Sequence, residues 1–409
     1  MTTKTFTWER GPFDTCWKCG EKEAFGILSV GGDRVVKRCT KCRHSHAETL
    51  PDLDKKVIYL DQFAFSELHK VRSGTRRPDK WSDFWAQVDD LLTRAVLLQQ
   101  AVLPHSDIHH KETIVSPFAG ALRDTQEAIG GDIEFVSTND IQLSQIEEFA
   151  RAFFAGDDPR VTFDVDDVLE GDRNSWLPDM RITVGMDWSS FVPDTRKGRD
   201  ETHASVASLI EGWRKAGDGF DEVLEREFGA YLASRQDALR HSMKRFEQGL
   251  AENDLFALAE FSHGFVQREI ELVRRHARKA GVVEDRLTGA TTEFWNWNGN
   301  REQPFAKISA YLFASLAAQF KGGRSKMPTP GLLNDINAIS AYAPYVDAML
   351  VDNECAELLR HGRCLKELSY KARIFSLSSA TAFIDYLRSV VDLTPVNVGR
   401  EASQLYGIG

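Results

Sequence analysis

Apolar positions recur along this chain with two different periods, and the switches between them mark out its elements. Lys56 to Leu60 is a short apolar run between charged residues, as a strand buried on both faces requires. From Trp81 to Gln100 the apolar positions Trp81, Phe84, Trp85, Val88, Leu91, Leu92 and Val96 return about every 3.6 residues, which predicts an amphipathic helix. A second short strand is expected at Ala101 to Leu103, followed by Pro104-His105-Ser106. Ser106 is placed to cap a helix that begins at Asp107 and carries Glu112 on its second turn. A third strand at Ile133 to Ser137 and a helix from Ile141 to Phe154 follow.

The next stretch, about 156 to 200, is acidic and rich in turn residues, with Arg181 to Val184 as a strand candidate. Long amphipathic patterns then cover 203 to 216, 220 to 251, 254 to 280 and 303 to 320. They show no fixed period and so predict a mainly helical insertion or lid, not a repeat array. The earlier alternation then returns: helix Leu333 to Tyr342, strand Val346 to Val351, helix Asn353 to Arg360, strand Ile374 to Ser376, helix Ser379 to Leu387. Strands alternating with helices predict an α/β fold whose parallel sheet is covered on both faces. The expected organisation is a small domain at 1 to 50, a discontinuous core at 55 to 137 and 328 to 409, and the helical insertion at 138 to 327 between its halves.

At 409 residues the chain is long enough for several domains, and its net charge of -10 disfavours indiscriminate attachment to nucleic acid. Any such contact must be local. Basic clusters occur at Lys37 to Arg43, Lys70 to Lys80, Arg274 to Lys279 and Lys321 to Lys326. Two of them flank the acidic motifs described below, making Arg76, Arg77, Arg324 and Lys326 candidates for phosphate contact. No apolar run reaches about eighteen residues and the N-terminus is polar, so the expectation is a cytoplasmic protein without membrane attachment.

Four of the six cysteines form two Cys-x2-Cys pairs, Cys16 with Cys19 and Cys39 with Cys42. A hairpin of Gly26 to Val30 and Arg34 to Lys37 over Gly31-Gly32 would bring the pairs together. That spacing lets four thiolates close a tetrahedron around structural Zn2+, so residues 1 to 50 read as a zinc ribbon; a disulfide framework is the competing reading. Cys355 and Cys364 are expected to be buried structural thiols.

Two carboxylates fall at the carboxyl ends of predicted parallel strands, Asp61 and Asp352, where such sheets place functional groups. Asp335 opens a helix and Glu112 lies on another. Gathered carboxylates repel one another without a cation between them, and hard divalent cations take oxygen ligands. Asp347 is five residues from Asp352, on the opposite strand face, and is left outside this cluster. Asp107 could back up Glu112. His105, His109 and His110 read as surface or packed histidines, and Asp164, Asp166 and Asp167 as a solvated acidic turn. Phe294-Trp295-Asn296-Trp297 reads as core or lid packing before base stacking.

Taken in order, Ile58-Tyr59-Leu60-Asp61, Ser106 with Glu112 after the second strand, Asp335 opening a helix and Asp352 closing the next strand resemble the PIN-domain nuclease family. The likeness covers roughly 56 to 137 and 328 to 390. It implies a Rossmann-like parallel sheet, and Asp61, Glu112, Asp335 and Asp352 holding one or two Mg2+ or Mn2+ ions. It also implies hydrolysis of phosphodiester bonds, RNA before single-stranded DNA, with Ser106 near the substrate. The ribbon and the long helical insertion depart from that compact family; a protein regulator or a second copy of the chain could use them. Two other readings stand beside it: a non-catalytic nucleic-acid or protein adaptor, and a nucleotide phosphatase on the same sheet. No glycine-rich phosphate loop follows a predicted strand, and Gly322-Gly323 leads into Arg-Ser, which disfavours triphosphate motors and nicotinamide enzymes.

Overall fold

The computed structural model describes residues 13–131, 133–176, 192–254 and 264–408. Strands β1 (Phe13–Asp14), β2 (Phe25–Gly31), β3 (Arg34–Cys39) and β4 (Ser45–Thr49) form an antiparallel sheet in that order. Gly31 pairs with Arg34, so β2 and β3 turn through Gly32-Asp33, where Gly32 takes the left-handed φ of 58° that such a turn needs. The hairpin is therefore as expected, with its turn one residue later. The small sheet is seated on the rest of the chain through Trp176, whose N–H donates to Gly32 O at 2.9 Å and whose indole Nε1 donates to Pro51 O at 2.8 Å.

A second sheet consists of β5 (Lys56–Leu60), β6 (Ala101–Val102), β9 (Ala348–Leu350) and β10 (Arg373–Phe375) in the order β10-β9-β5-β6, with every pairing parallel. Parallel neighbours need crossover connections, and the helical segments between these strands supply them. Side chains of β5 alternate between two apolar layers. Val57 and Tyr59 enter one with the helices Pro304–Lys321 and Leu332–Tyr342. Ile58 and Leu60 enter the other with Gln62–Arg72, Ser82–Leu97 and Ala380–Asp392. The fold is thus mixed α/β with a parallel sheet covered on both faces.

The helical block takes part in this core. Ile308, Leu312 and Leu316 of Pro304–Lys321 and Ile141 of Thr138–Ala155 are buried in the same layer as β5 and β9. The expected pattern at 220 to 251 is two helices, Phe220–Gly229 and Tyr231–Glu252. Of the pattern at 254 to 280, Phe265–Lys279 is helical, and 255–263 lies outside the described residues, as does the strand candidate Arg181 to Val184. The expected third strand shortens to β7 (Glu134–Phe135), paired antiparallel with β8 (Leu169–Glu170) in the acidic stretch. No helix among the described residues is long and apolar enough to cross a membrane.

Candidate metal centre

The four cysteines of the small sheet meet. Cys16 Sγ lies 3.7 Å from Cys42 Sγ, and Cys19 Sγ 3.8 Å from Cys39 Sγ. A tetrahedron of sulfurs about 2.3 Å from a central zinc has edges of roughly 3.8 Å, so the group has the size such an ion needs. None of the six cysteines forms a disulfide. Each pair sits in a tight turn: Gly20 N–H donates to Cys16 O at 2.7 Å and Arg43 N–H to Cys39 O at 3.1 Å. The residue after each second cysteine is left-handed, Gly20 at φ 75° and Arg43 at φ 58°. The Cys42 N–H also points at Cys39 Sγ, 3.4 Å away, and such donors draw the Cys39 thiol down to about 6, while burial and the three neighbouring sulfurs push Cys19 up to about 12, so without a metal the four thiols share their protons. This group could hold a metal such as zinc.

The carboxylates converge at the carboxyl end of the parallel sheet. Leu60 and Leu350 are paired in register on β5 and β9, so Asp61 and Asp352 leave the sheet at the same edge. Asp61 N–H donates to Leu350 O at 3.0 Å. Asp61 stands at the N-cap of Gln62–Arg72 without a capping bond to the second or third helical N–H, while the Gln62 and Asp352 N–H groups at this edge act on its carboxyl and hold its pKa down against burial. Asp352 does cap its helix, Asn353–Leu359, through Oδ1 and the Cys355 N–H at 2.7 Å, which leaves its second oxygen off the cap. Asp335 enters from the first turn of Leu332–Tyr342. Glu112 enters from the helix Asp107–Ile114 and accepts a hydrogen bond from Asn334 Nδ2 at 3.0 Å. Between the last two lies Gly331: a Cβ there would stand 3.7 Å from Asp335 Oδ2 and 3.9 Å from Glu112 Oε1.

The charges of the cluster bear most on Asp61 and Asp335. Burial, then the charges of Glu112 and Asp352, push Asp61 from its ordinary 3.8 up to about 8. Burial and the charges of Asp61, Asp352 and Glu112 hold Asp335 well above the usual carboxylate range. Burial also raises Asp352 and Glu112. Among the described residues no ion pair neutralises any of the four. Crowded, partly dehydrated carboxyls outside any ion pair favour either protons or a cation. Among the described residues, Asp335, Asp352 and Cys355 each place a ligand atom within 4.8 Å of the others, a set of two carboxylates and a thiol; Asp61 and Glu112 stand outside that set and reach it through their charges. Carboxylate oxygens suit a hard divalent ion.

Cys355 is the member that sequence reasoning missed. Its thiol is fully buried, as expected, but lies against the carboxylates and not in an inert part of the core. Its place three residues after a strand-end aspartate was the available signal. Asn334, beside Asp335 in the chain, was missed as the Glu112 donor. Glu354 adds a fifth acidic charge near Asp335, and it is neutralised by Arg324.

Several expected substrate contacts are committed elsewhere. Ser106 is 2% exposed, and its hydroxyl accepts the His109 N–H at 3.3 Å while His109 Nδ1 accepts the Ser106 N–H at 3.0 Å. It caps Asp107–Ile114 and so positions Glu112, and burial keeps it from a substrate. Arg76 is paired with Glu67 at 3.0 Å and Asp79 at 2.8 Å, with only 10% of its side chain exposed. Arg324 is held by Glu354, by Gln319 Oε1 at 2.6 Å and by Lys326 O at 2.9 Å. Arg77 and Lys326 are exposed.

The remaining residues fall as follows. Asp347 Oδ2 accepts the Val57 N–H at 2.9 Å, and Lys56 and Lys371 pair with its carboxylate, all away from the cluster. His109 is buried and uncharged, its pKa drawn down to about 3 by burial. His105 faces Glu134 at 3.2 Å, and burial lowers His110. Asp107 pairs with Lys111 at 2.7 Å and does not reach Glu112 as a hydrogen-bond partner among the described residues. Asp164 closes a turn on the Asp166 N–H at 3.0 Å. Phe294 and Trp295 are buried, with Trp297 packed beside them. Cys364 is buried against Ser315. Comparison with family models, with curated proteins and with solved structures finds no match to this chain.

Proposed function

We propose that this protein is a Mg2+- or Mn2+-dependent nuclease of PIN-like type, hydrolysing phosphodiester bonds, with a zinc ribbon on its small sheet. The observation that carries this reading is the convergence of four carboxyls from four separate segments at the end of a parallel sheet, none of them in an ion pair among the described residues. Protein stability alone gives no reason for such a cluster, because each carboxyl raises the cost of the others. Asp61, Glu112, Asp335 and Asp352 would hold the ion, and Cys16, Cys19, Cys39 and Cys42 the zinc. When bound, a divalent cation in such a site supplies an activated water and charge stabilisation for an in-line displacement at phosphorus.

The chain's own residues define the rest. Asp61 and Asp352 are fixed by β5 and β9. Asp335 and Glu112 close the cluster from two helices, and the Asn334 amide fixes the Glu112 rotamer. Tyr59, buried and stacked on His109 at 5.1 Å and on Tyr342 at 5.6 Å, packs within reach of the charges of Asp61, Asp335 and Glu112. RNA is the favoured polymer through the family resemblance, and single-stranded DNA is second. The test is cleavage of labelled RNA and single-stranded DNA by zinc-loaded protein in Mn2+, Mg2+ or EDTA, beside an Asp61→Asn, Asp352→Asn double variant. Cutting that needs the metal and disappears in the variant supports the reading. Cutting that survives in EDTA or in the variant, or its absence from wild type in every metal, refutes it.

A further inference from the structure

The helix Val192–Ala216 runs past the carboxylate cluster and is fastened beside it at two points. Arg196 Nη2 donates to Val115 O at 3.2 Å, at the end of the helix that carries Glu112. Seven residues on, His203 Nε2 lies 3.4 Å from Pro328 O, in the loop that leads to Asp335. Gly198, Thr202, Val206 and Leu209 share a cleft with Leu333, two residues before Asp335. At 3.6 residues per turn, positions 196, 199 and 203 fall on one helix face, so Arg199 stands between the two fastenings, on the side of the cluster.

Arg199 is available to act there. Its side chain is 46% exposed, and its ion-pair neighbour Asp200 is distant at 3.9 Å. Its charge reaches Glu112, where it opposes the rise that burial imposes. Arg324, another arginine near the cluster, is already tied to Glu354. We propose that Arg199 contacts a non-bridging oxygen of the substrate phosphate at the carboxylate centre, an inference that rests on the nuclease reading above. A guanidinium suits this role because it is always charged and presents paired donors to a phosphate. The placement also gives the helical block a part in the reaction, since its helix brings this cation to a centre built by the sheet.

The test compares wild type with Arg199→Ala, Arg199→Lys and Lys197→Ala; Lys197 lies on the far side of the same helix and is 75% exposed. Three quantities are read: kcat and KM for RNA in Mn2+, RNA affinity in EDTA against salt, and Mn2+ affinity by calorimetry. Losing one charge-assisted contact predicts about a 10- to 100-fold fall in kcat/KM for Arg199→Ala, with partial recovery in Arg199→Lys. The slope of log affinity against log salt should shrink by about 0.7, the value for one phosphate of a single strand. Lys197→Ala should leave both near wild type, and Mn2+ affinity should not weaken in any variant. Cleavage and RNA affinity of Arg199→Ala within about twofold of wild type, or equal losses in Lys197→Ala, overturn the assignment of Arg199 and leave the nuclease reading standing. A wild type that neither cuts nor binds RNA removes both.

Discussion

Replacing Asp61 by Asn should stabilise the metal-free protein, the opposite of what removing a buried hydrogen-bonded aspartate usually does. Burial and the charges of Glu112 and Asp352 raise the Asp61 pKa from 3.8 to about 8. A group whose folded pKa is raised contributes its full stability below the unfolded pKa, and loses it progressively as pH rises to the folded value. At pH 7 the folded carboxyl still carries a proton that the unfolded one has released. Over that window of about three pH units, at about 1.36 kcal/mol each, the protein is weakened by roughly 4 kcal/mol. The amide that replaces the carboxyl does not titrate, but it is still buried, at a cost of about 1–3 kcal/mol. The net gain is on the order of 1–3 kcal/mol, or about 1–3 °C in Tm for a chain of 409 residues. The assay is calorimetric melting of zinc-loaded wild type and Asp61→Asn at pH 4, 6, 7 and 8, without and with excess Mn2+. In the absence of Mn2+ the variant should melt higher at pH 7 and 8 and lower than wild type near pH 4, where the cost of burying the amide is no longer offset. With Mn2+ the order should reverse, because only wild type has the full ligand set. A variant that melts lower than wild type at pH 7 without Mn2+, together with no Mn2+ effect on wild type, would refute the electrostatic reasoning.

Two further outcomes follow from the fold. Cys39→Ser should abolish stoichiometric zinc, measured by elemental analysis, and open residues 13–50 to limited proteolysis, since a metal held by the four thiolates would tie the small sheet together. Gly130→Ala should destabilise by at least about 2 kcal/mol in chemical denaturation: the added Cβ would meet Leu103 O at 2.3 Å, and that backbone is fixed beside β6.

How much of this was legible in the sequence depends on where each feature takes its signal. Lys56 to Leu60 is apolar after its first residue because both faces are buried, and Asp61 stands out at its end for the same reason. The two Cys-x2-Cys pairs need only local turns and were equally plain. Strand β4, Ser-His-Ala-Glu-Thr, is polar and mostly exposed, held by main-chain pairing to β3, so no hydrophobic period announces it. Strands β7 and β8 are two residues each, too short to have a period. Ser106 shows how one residue type serves two readings: serine before a helix is a good cap, and burial decides for that role over substrate contact. Arg76 and Arg324 looked available because sequence shows charges but not their partners. Cys355 and Arg199 reach the cluster through a helix cap and a helix crossing, relations that exist only once the elements are assembled.

If Asp61, Glu112, Asp335 and Asp352 together form a site for a divalent cation, locating that cation decides the matter. Zinc-loaded protein crystallised with Mn2+ and measured at the manganese absorption edge should show an anomalous peak among these carboxylates, lost in the Asp335→Asn, Asp352→Asn double variant. Manganese bound elsewhere on the chain, or none at the cluster in well-ordered wild-type crystals, would contradict a metal centre at this end of the sheet.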